Sequence, residues 1–159
     1  ARLRQEWGDR TNVPDLVVTG KLLPQLAPLV TDVEALVREL NVTRSVHVLD
    51  AIPQHDMPAI MTEALALVYP SEYEGFGMPV LEAMRSGTPV ITTKSGALEE
   101  VAGDAALYTT GEITDLVRAM REMLTDDILR RELARRGSER SKCFSWDRFV
   151  RSLLGSIHR

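Results

Sequence analysis

The sequence predicts an α/β fold: a Rossmann-like open parallel sheet flanked by helices, with a helical part at its C-terminal end. Three observations predict it. Short apolar runs rich in valine, isoleucine and leucine alternate with longer segments of helical periodicity. Those runs are continuously apolar rather than alternating, the pattern of parallel strands covered on both faces. Beyond Gly111 the strand pattern stops, and residues from about 113 to 159 read as helix throughout.

The opening residues, ARLRQEW, read as the end of an amphipathic helix. Pro14 to Gly20, PDLVVTG, is a β-branched run closed by glycine. A helix from about Thr31 to Leu40 places Val33, Leu36, Val37 and Leu40 on one face, with Asn41 as its C-terminal cap. Ser45 to Asp50 is the next strand, and Asp56 or Met57 to Leu65 the next helix. Ala66 to Tyr69 forms a third strand and Pro79 to Ser86 a helix ended by Gly87. Pro89 to Thr92 is a fourth strand and Ala106 to Tyr108 a short fifth. In the helical part, Ile113 to Leu124 is expected to bury Leu116, Val117, Met120 and Leu124, and a charged helix runs from Asp126 or Asp127 to about Lys142. Ser145 offers an N-cap to a last helix, in which Trp146, Phe149, Val150, Leu153, Leu154 and Ile157 at helical spacing read as core.

A chain of 159 residues, 44% hydrophobic and 26% charged, suits one soluble domain with a sizeable core. Its net charge of -4 lacks the basic footprint of a nucleic-acid binder. The charge is uneven, however: from Arg118 onward 11 Lys+Arg stand against 6 Asp+Glu, and the earlier residues hold 8 against 17. Such a tail suits an acidic partner domain, a lipid surface or simply a solvated helix face. Cys143 is the only cysteine, which leaves no disulfide framework and fits a reducing, cytoplasmic setting. No apolar stretch approaches the roughly 20 residues of a membrane-spanning helix, and no secretory signal is visible. His47, His55 and His158 are not spaced as metal ligands, and no metal is expected. Without an initiator methionine, and opening inside a helix, the chain reads as cut from something longer on its N-terminal side.

The chemistry concentrates in YEGFGMPVLE, Tyr73 to Glu82. Open parallel sheets bind ligands beyond the carboxyl ends of their strands, where loops enter helices. This stretch occupies such a place, and Pro79 sits where a helix begins. The N–H groups of Gly77, Met78, Val80 and Leu81 are expected to lack intrahelical partners and to meet an anion favoured by the helix dipole. Gly75 and Gly77 let the chain take unusual dihedrals and let a ligand approach the backbone. Glu74 and Glu82 would repel a phosphate placed there, so they are expected to face hydroxyl donors such as vicinal sugar hydroxyls. Alternatively, Glu82 complements the dipole and Glu74 is a solvated turn residue.

PSEYEGFGMPVLEAMRSGTPVI, Pro70 to Ile91, closely resembles the glutamate-x7-glutamate motif of the retaining GT-B glycosyltransferases of group 1, also called family 4. VHVLDAIPQHDMPAIMTEA resembles the family's strand, base-contacting loop and helix. SGALEEVAGDAALY resembles its next loop, and FSWDRF the start of its C-terminal helix. The resemblance covers nearly the whole chain from Pro14. It implies the C-terminal half of a GT-B fold, with residues 1–159 forming a single domain that binds a nucleotide-diphosphate sugar donor and lacks the N-terminal acceptor domain. Peripheral membrane contact would then come through the full-length protein.

By position, the resemblance makes Glu74 the catalytic glutamate against the donor sugar's hydroxyls and Glu82 the ribose ligand. Gly75, Phe76, Gly77, Met78 and Pro79 correspond to the loop that meets sugar and diphosphate, and Ile52 to the segment that holds the base. It implies no metal and no cofactor beyond the donor substrate itself. Asp50 stands where the family usually has glycine. Lys94 could bring positive charge toward the donor or be a solvated loop lysine. The arginines Arg131, Arg135 and Arg136, interleaved with Glu132 and Glu139, look like a solvated helix face. Two other readings remain open: a non-catalytic interaction module on the same fold, and a related GT-B epimerase or phosphorylase. The base, the sugar and the acceptor are not legible.

Overall fold

A computed structural model describes residues 1–7, 13–20 and 31–157. The chain divides into two compact units, Ala1–Met57 and Pro58–Arg159. Among the described residues the strand pairs are all parallel, as expected of βα alternation.

The first unit contains α1 (Arg2–Trp7), β1 (Leu16–Thr19), α2 (Val33–Glu39) and β2 (Val46–Leu49). β1 and β2 pair along their whole length, Leu16 opposite Val46 through Thr19 opposite Leu49. Asp15, just before β1, accepts from His47 at 2.8 Å and from Arg4 at 3.1 Å, and the His47 contact leads in holding its carboxyl below the usual range. Helix α2 is closed at both ends by local chemistry. The Asp32 carboxylate accepts from the Ala35 N–H at 2.9 Å, an N-cap. Asn41 takes a left-handed φ of 53°, and the N–H groups of Asn41 and Val42 return to the carbonyls of Arg38 and Val37, both at 3.1 Å. Two-faced coverage does not extend to these strands, where Leu16, Val17 and Leu49 are 41–45% exposed.

The second unit takes in α3 (Met57–Glu63) from Pro58 onward, then β3 (Leu67–Tyr69), α4 (Met78–Arg85), β4 (Val90–Thr93), α5 (Leu98–Ala102), β5 (Ala106–Thr109), α6 (Ile113–Thr125), α7 (Asp127–Ser141) and α8 (Trp146–Ile157). Its sheet runs β3-β4-β5. Lying between two neighbours and under helices, β4 is buried at all four residues. The α5 helix occupies part of the segment that reads in the sequence as loop. Of the expected core of α6, Leu116 and Met120 are half-buried against a cluster of Ile91, Ala119, Met123 and Leu133. Val117 and Leu124 are half-buried as well, and the fully buried positions of the face are Ala119 and Met123.

Helix α7 approaches α4 closely because Gly137 faces Met84; a Cβ there would lie 3.1 Å from Met84 Cγ. Its arginines close other helices. Arg130 Nη1 donates to the carbonyls of Met123 and Leu124 at 2.7 and 3.2 Å, at the end of α6. Arg140 Nε donates to Val101 O at 2.6 Å and its Nη2 to Glu100 O, at the end of α5. Both satisfy carbonyls that a helix end leaves without partners, and both set a cation at the negative end of the dipole. Arg135 and Arg136 share Glu132 at 2.8–3.0 Å on the exposed face, as the sequence suggests.

Helix α8 starts as expected, with the Ser145 hydroxyl accepting from the Arg148 N–H at 3.3 Å. Its apolar residues are not core. Trp146 is 82% exposed, Ile157 67%, Phe149 57%, and Val150, Leu153 and Leu154 46–50%. Periodicity defines a face, but burial needs an element opposite it, and no residue of α8 is buried. Among the described residues no helix is long and apolar enough to cross a membrane.

Two stability predictions follow from this packing. Leu98 is fully buried, and Leu98→Ala should lower unfolding free energy by about 2–5 kcal/mol in chemical denaturation. Asp115 accepts from the Thr110 N–H at 2.7 Å and from Arg118 Nε at 2.7 Å. These bonds, the Thr110 one first, hold its carboxyl down at about 2. Because the folded value lies below the unfolded one, this contribution is full above about pH 4 and is lost as the pH falls toward the folded value. The gap in melting temperature between wild type and Asp115→Asn should therefore be widest near neutrality and close in acid.

Candidate functional site

β3 ends at Tyr69, and the chain then makes an irregular loop before α4 begins at Met78. Carbonyls in such a loop have no ladder to join and need other donors. The end of β4 and the turn after it supply them in order. Thr92 Oγ1 donates to Tyr69 O at 2.9 Å, Thr93 Oγ1 to Ser71 O and Ser95 Oγ to Glu72 O, and the Ala97 N–H reaches Glu74 O at 3.3 Å. Gly96 has a φ of 54°, and a Cβ there would sit 2.7 Å from Glu74 O. Only glycine lets the turn lie this close to the backbone of Glu74.

Gly77 caps α4 with φ 90° and ψ 49°, and a Cβ on it would meet Leu98 Cδ2 at 2.5 Å. The expected unusual dihedral holds for this glycine, and the close neighbour is the Leu98 side chain. The dihedral does not hold for Gly75, which has no left-handed φ and whose surroundings are open within 4 Å of a Cβ. Of the four N–H groups expected to be free, those of Val80 and Leu81 turn back to Gly77 O at 3.0 and 3.3 Å. The Leu81 bond is the first regular bond of the helix and the Val80 bond a tighter one to the same carbonyl, which leaves the N–H groups of Gly77 and Met78 outside both.

The Glu74 carboxylate is half-buried and Tyr69 donates its hydroxyl to Glu74 Oε1 at 2.5 Å. Burial, then the bond to Glu74 and its charge, push the Tyr69 hydroxyl up to about 12, so it stays protonated and donates. On α4 the buried side chains are Val80, Leu81, Ala83 and Met84. Met78, Glu82 and Arg85, spaced four and three residues apart, therefore fall on the outward face. Glu82 is half-buried, Met78 is 53% exposed, and Pro79 is the second helical residue. Phe76 is 40% exposed and sets its ring edge-on to Phe144, centroids 5.9 Å apart. Ile52 is half-buried in the first unit, after β2.

Lys94 is an exposed loop lysine with two neighbours. Its Nζ lies 3.3 Å from Glu99 Oε1 and 5.0 Å from the Tyr108 ring centre. A cavity of about 540 Å³ opens beyond the carboxyl ends of the strands, lined by Thr93, Lys94, Tyr108, Thr110 and Glu112 among others. His47 is engaged by Asp15 and His55 stands 3.5 Å from Asp56, while His158 lies outside the described residues. The residues that sequence reasoning missed are Tyr69, Thr92, Thr93, Ser95 and Gly96. A signal existed for the threonines, since hydroxyls in a strand buried on both faces must find acceptors.

A family model described as "Glycosyl transferases group 1" matches residues 3–140. The chain is 41% identical over 97 residues to O-antigen chain mannosyltransferase B of Escherichia coli, covering 60% of this chain and 26% of that protein. It is 34% identical over 118 residues to the MMP alpha-(1->4)-mannosyltransferase of Mycolicibacterium hassiacum, covering 71% of this chain and 29% of that one. Among solved structures, the sucrose-phosphate synthase of Thermosynechococcus elongatus superposes with a TM-score of 0.77 at 28% identity, over 91% of this chain and 38% of that one. The chain thus spans under a third of these curated relatives. A motif-bearing loop pinned to a parallel sheet and a family match over most of the sequence agree: the chain belongs to the group 1 glycosyl transferase family, with the Rossmann-like α/β fold of its GT-B members.

Proposed function

We propose that this chain is the donor-binding part of a retaining glycosyltransferase, holding a nucleotide-diphosphate sugar at the loop before α4. The observation that carries the reading is the loop pinned as far as Glu74, with one carboxylate, Glu74, before the α4 N-terminus and another, Glu82, within the helix. The N–H groups of Gly77 and Met78, with the positive end of the α4 dipole behind them, receive the diphosphate. As the bond from the anomeric carbon to the diphosphate breaks, the electron pair leaves with the phosphate oxygen. Fixed donors there meet that growing charge without reorganising. No metal or other cofactor is needed for this neutralisation.

Glu74 accepts from the hydroxyls of the transferred sugar, beside the reacting carbon, and is the catalytic residue of the set. Glu82 accepts from the ribose hydroxyls. Gly75, Phe76 and Pro79 shape the loop around sugar and phosphate, and Ile52 belongs to the segment that holds the base. The acceptor is supplied by an N-terminal domain in the full-length protein, and the isolated chain binds donor without transferring it. The two relatives are mannosyltransferases by name, which makes mannose the first sugar to test. The single cysteine, Cys143, is exposed, which suits a reducing cytoplasmic setting.

Calorimetry with UDP, GDP and ADP should give saturable binding to one or more of them, and Glu82→Gln should weaken it about tenfold through the lost charge-assisted bonds to ribose. Absence of binding to all three, or an unchanged affinity in the variant, removes the ribose assignment. For the full-length enzyme, the anomeric configuration of the first-formed product, read by NMR, should equal that of the donor. An inverted product would rule out the retaining reaction.

A further inference from the structure

We propose that Tyr69 is a positioning residue for Glu74: its hydroxyl occupies one carboxylate oxygen, fixes the orientation of the group and leaves the other oxygen to the donor sugar. The inference rests on the assignment of Glu74 to that sugar.

The geometry has three parts. Tyr69 is the last residue of β3, in register with Thr92 of β4, and its carbonyl is tied to Thr92 Oγ1 at 2.9 Å. The donor is therefore mounted on the sheet and not on the loop it steadies. Its hydroxyl reaches Glu74 Oε1 at 2.5 Å, five residues on. On the other side, the Glu74 carbonyl is held by the Ala97 N–H and packed against Gly96. Glu74 is thus gripped at its backbone from β4–α5 and at its side chain from β3. The backbone grip limits a shift of the main chain, and the side-chain grip limits rotation of the carboxylate.

The chemistry of the partner matters as much. Among the described residues no lysine, arginine or histidine forms an ion pair with Glu74. A cation would orient the carboxylate equally well but would cancel its charge at the place where a sugar loses its leaving group and becomes electron-poor. A neutral phenol orients it and leaves the charge in place. Because burial and the carboxylate keep Tyr69 protonated, it remains a donor throughout the physiological range. With Oε1 engaged by the phenol, Oε2 carries most of the accepting capacity left for the sugar hydroxyls. Tyr69 would then bear on which sugar is held, while the diphosphate and ribose contacts are made elsewhere on α4.

The test compares two ligands in four proteins by calorimetry. The ligands are a sugar nucleotide, whichever of GDP-mannose and UDP-glucose binds wild type more tightly, and its nucleoside diphosphate without the sugar. The proteins are wild type, Tyr69→Phe, Glu74→Gln and the double variant. Tyr69→Phe should weaken the sugar nucleotide about tenfold, the scale of one hydrogen bond to a charged group, with the diphosphate within about twofold. In the double variant it should have no further effect on Glu74→Gln. Equal weakening of both ligands would mark a general structural role and overturn the proposal, as would no effect on either. A melting temperature for each variant separates misfolding from misplacement, and a Tyr69→Phe protein that melts like wild type yet keeps full sugar affinity also overturns it. If Glu74→Gln leaves the sugar increment intact, the assignment of Glu74 to the sugar fails and takes this inference with it. If Glu74→Gln removes the increment and Tyr69→Phe does not, the assignment stands and Tyr69 alone is excluded.

Discussion

The second unit depends on one constraint: the hydroxyls of a fully buried strand must find acceptors, and the carbonyls of an irregular loop must find donors. At the end of β4 the two needs meet. Thr92 and Thr93 have valine-like shape and suit a central strand, but each carries a hydroxyl that burial would leave costly. Those hydroxyls reach across to Tyr69 O and Ser71 O, and Ser95 continues the series to Glu72 O. The loop is thereby laid along the sheet edge residue by residue, ending with Glu74 at Ala97. An apolar pair at the same two positions would keep the strand and release the loop.

The charged helices act on the same principle at a larger scale. Of the basic side chains after Arg118, several are spent on this unit itself. Arg130 and Arg140 close the carboxyl ends of α6 and α5. Within the same unit, Arg85 of α4 donates to Phe144 O at 2.8 Å and so steadies the ring that meets Phe76. Gly103 completes the arrangement around Arg140, since a Cβ there would lie 2.5 Å from the guanidinium carbon. A glycine at a helix end and an arginine thirty-seven positions later thus form one packing unit, with α5, the helix that supports Gly77 through Leu98, held between them.

Much of this was readable from sequence, and the exceptions have physical reasons. The strands and most helices follow from periodicity, and Gly77 and Asn41 from the need for left-handed dihedrals at helix ends. Gly75 misled because glycine permits an unusual conformation without requiring one. Leu81 makes the first regular bond of a helix capped at Gly77 and so never belongs among the free N–H groups, whereas Val80 is taken up by a tighter bond to the same carbonyl. Tyr69 was invisible because a strand tyrosine reads as core until its hydroxyl is seen to have a partner. The pinning by Ser95 and Gly96 is a long-range pairing of two loops, and no local pattern encodes such a pairing. The apolar face of α8 was read correctly as a face and wrongly as interior, since sequence gives a helix its sidedness but not its neighbour.

That last feature has an optical consequence. Trp146 is one of two tryptophans in the chain and is 82% exposed, edge-on to Phe149 at the start of α8. An indole so open to water emits at long wavelength and is within reach of soluble quenchers. The helix therefore carries a native fluorophore on the face that its apolar residues define. Any change in what surrounds that face is written into the colour and quenching of its emission, with no label added.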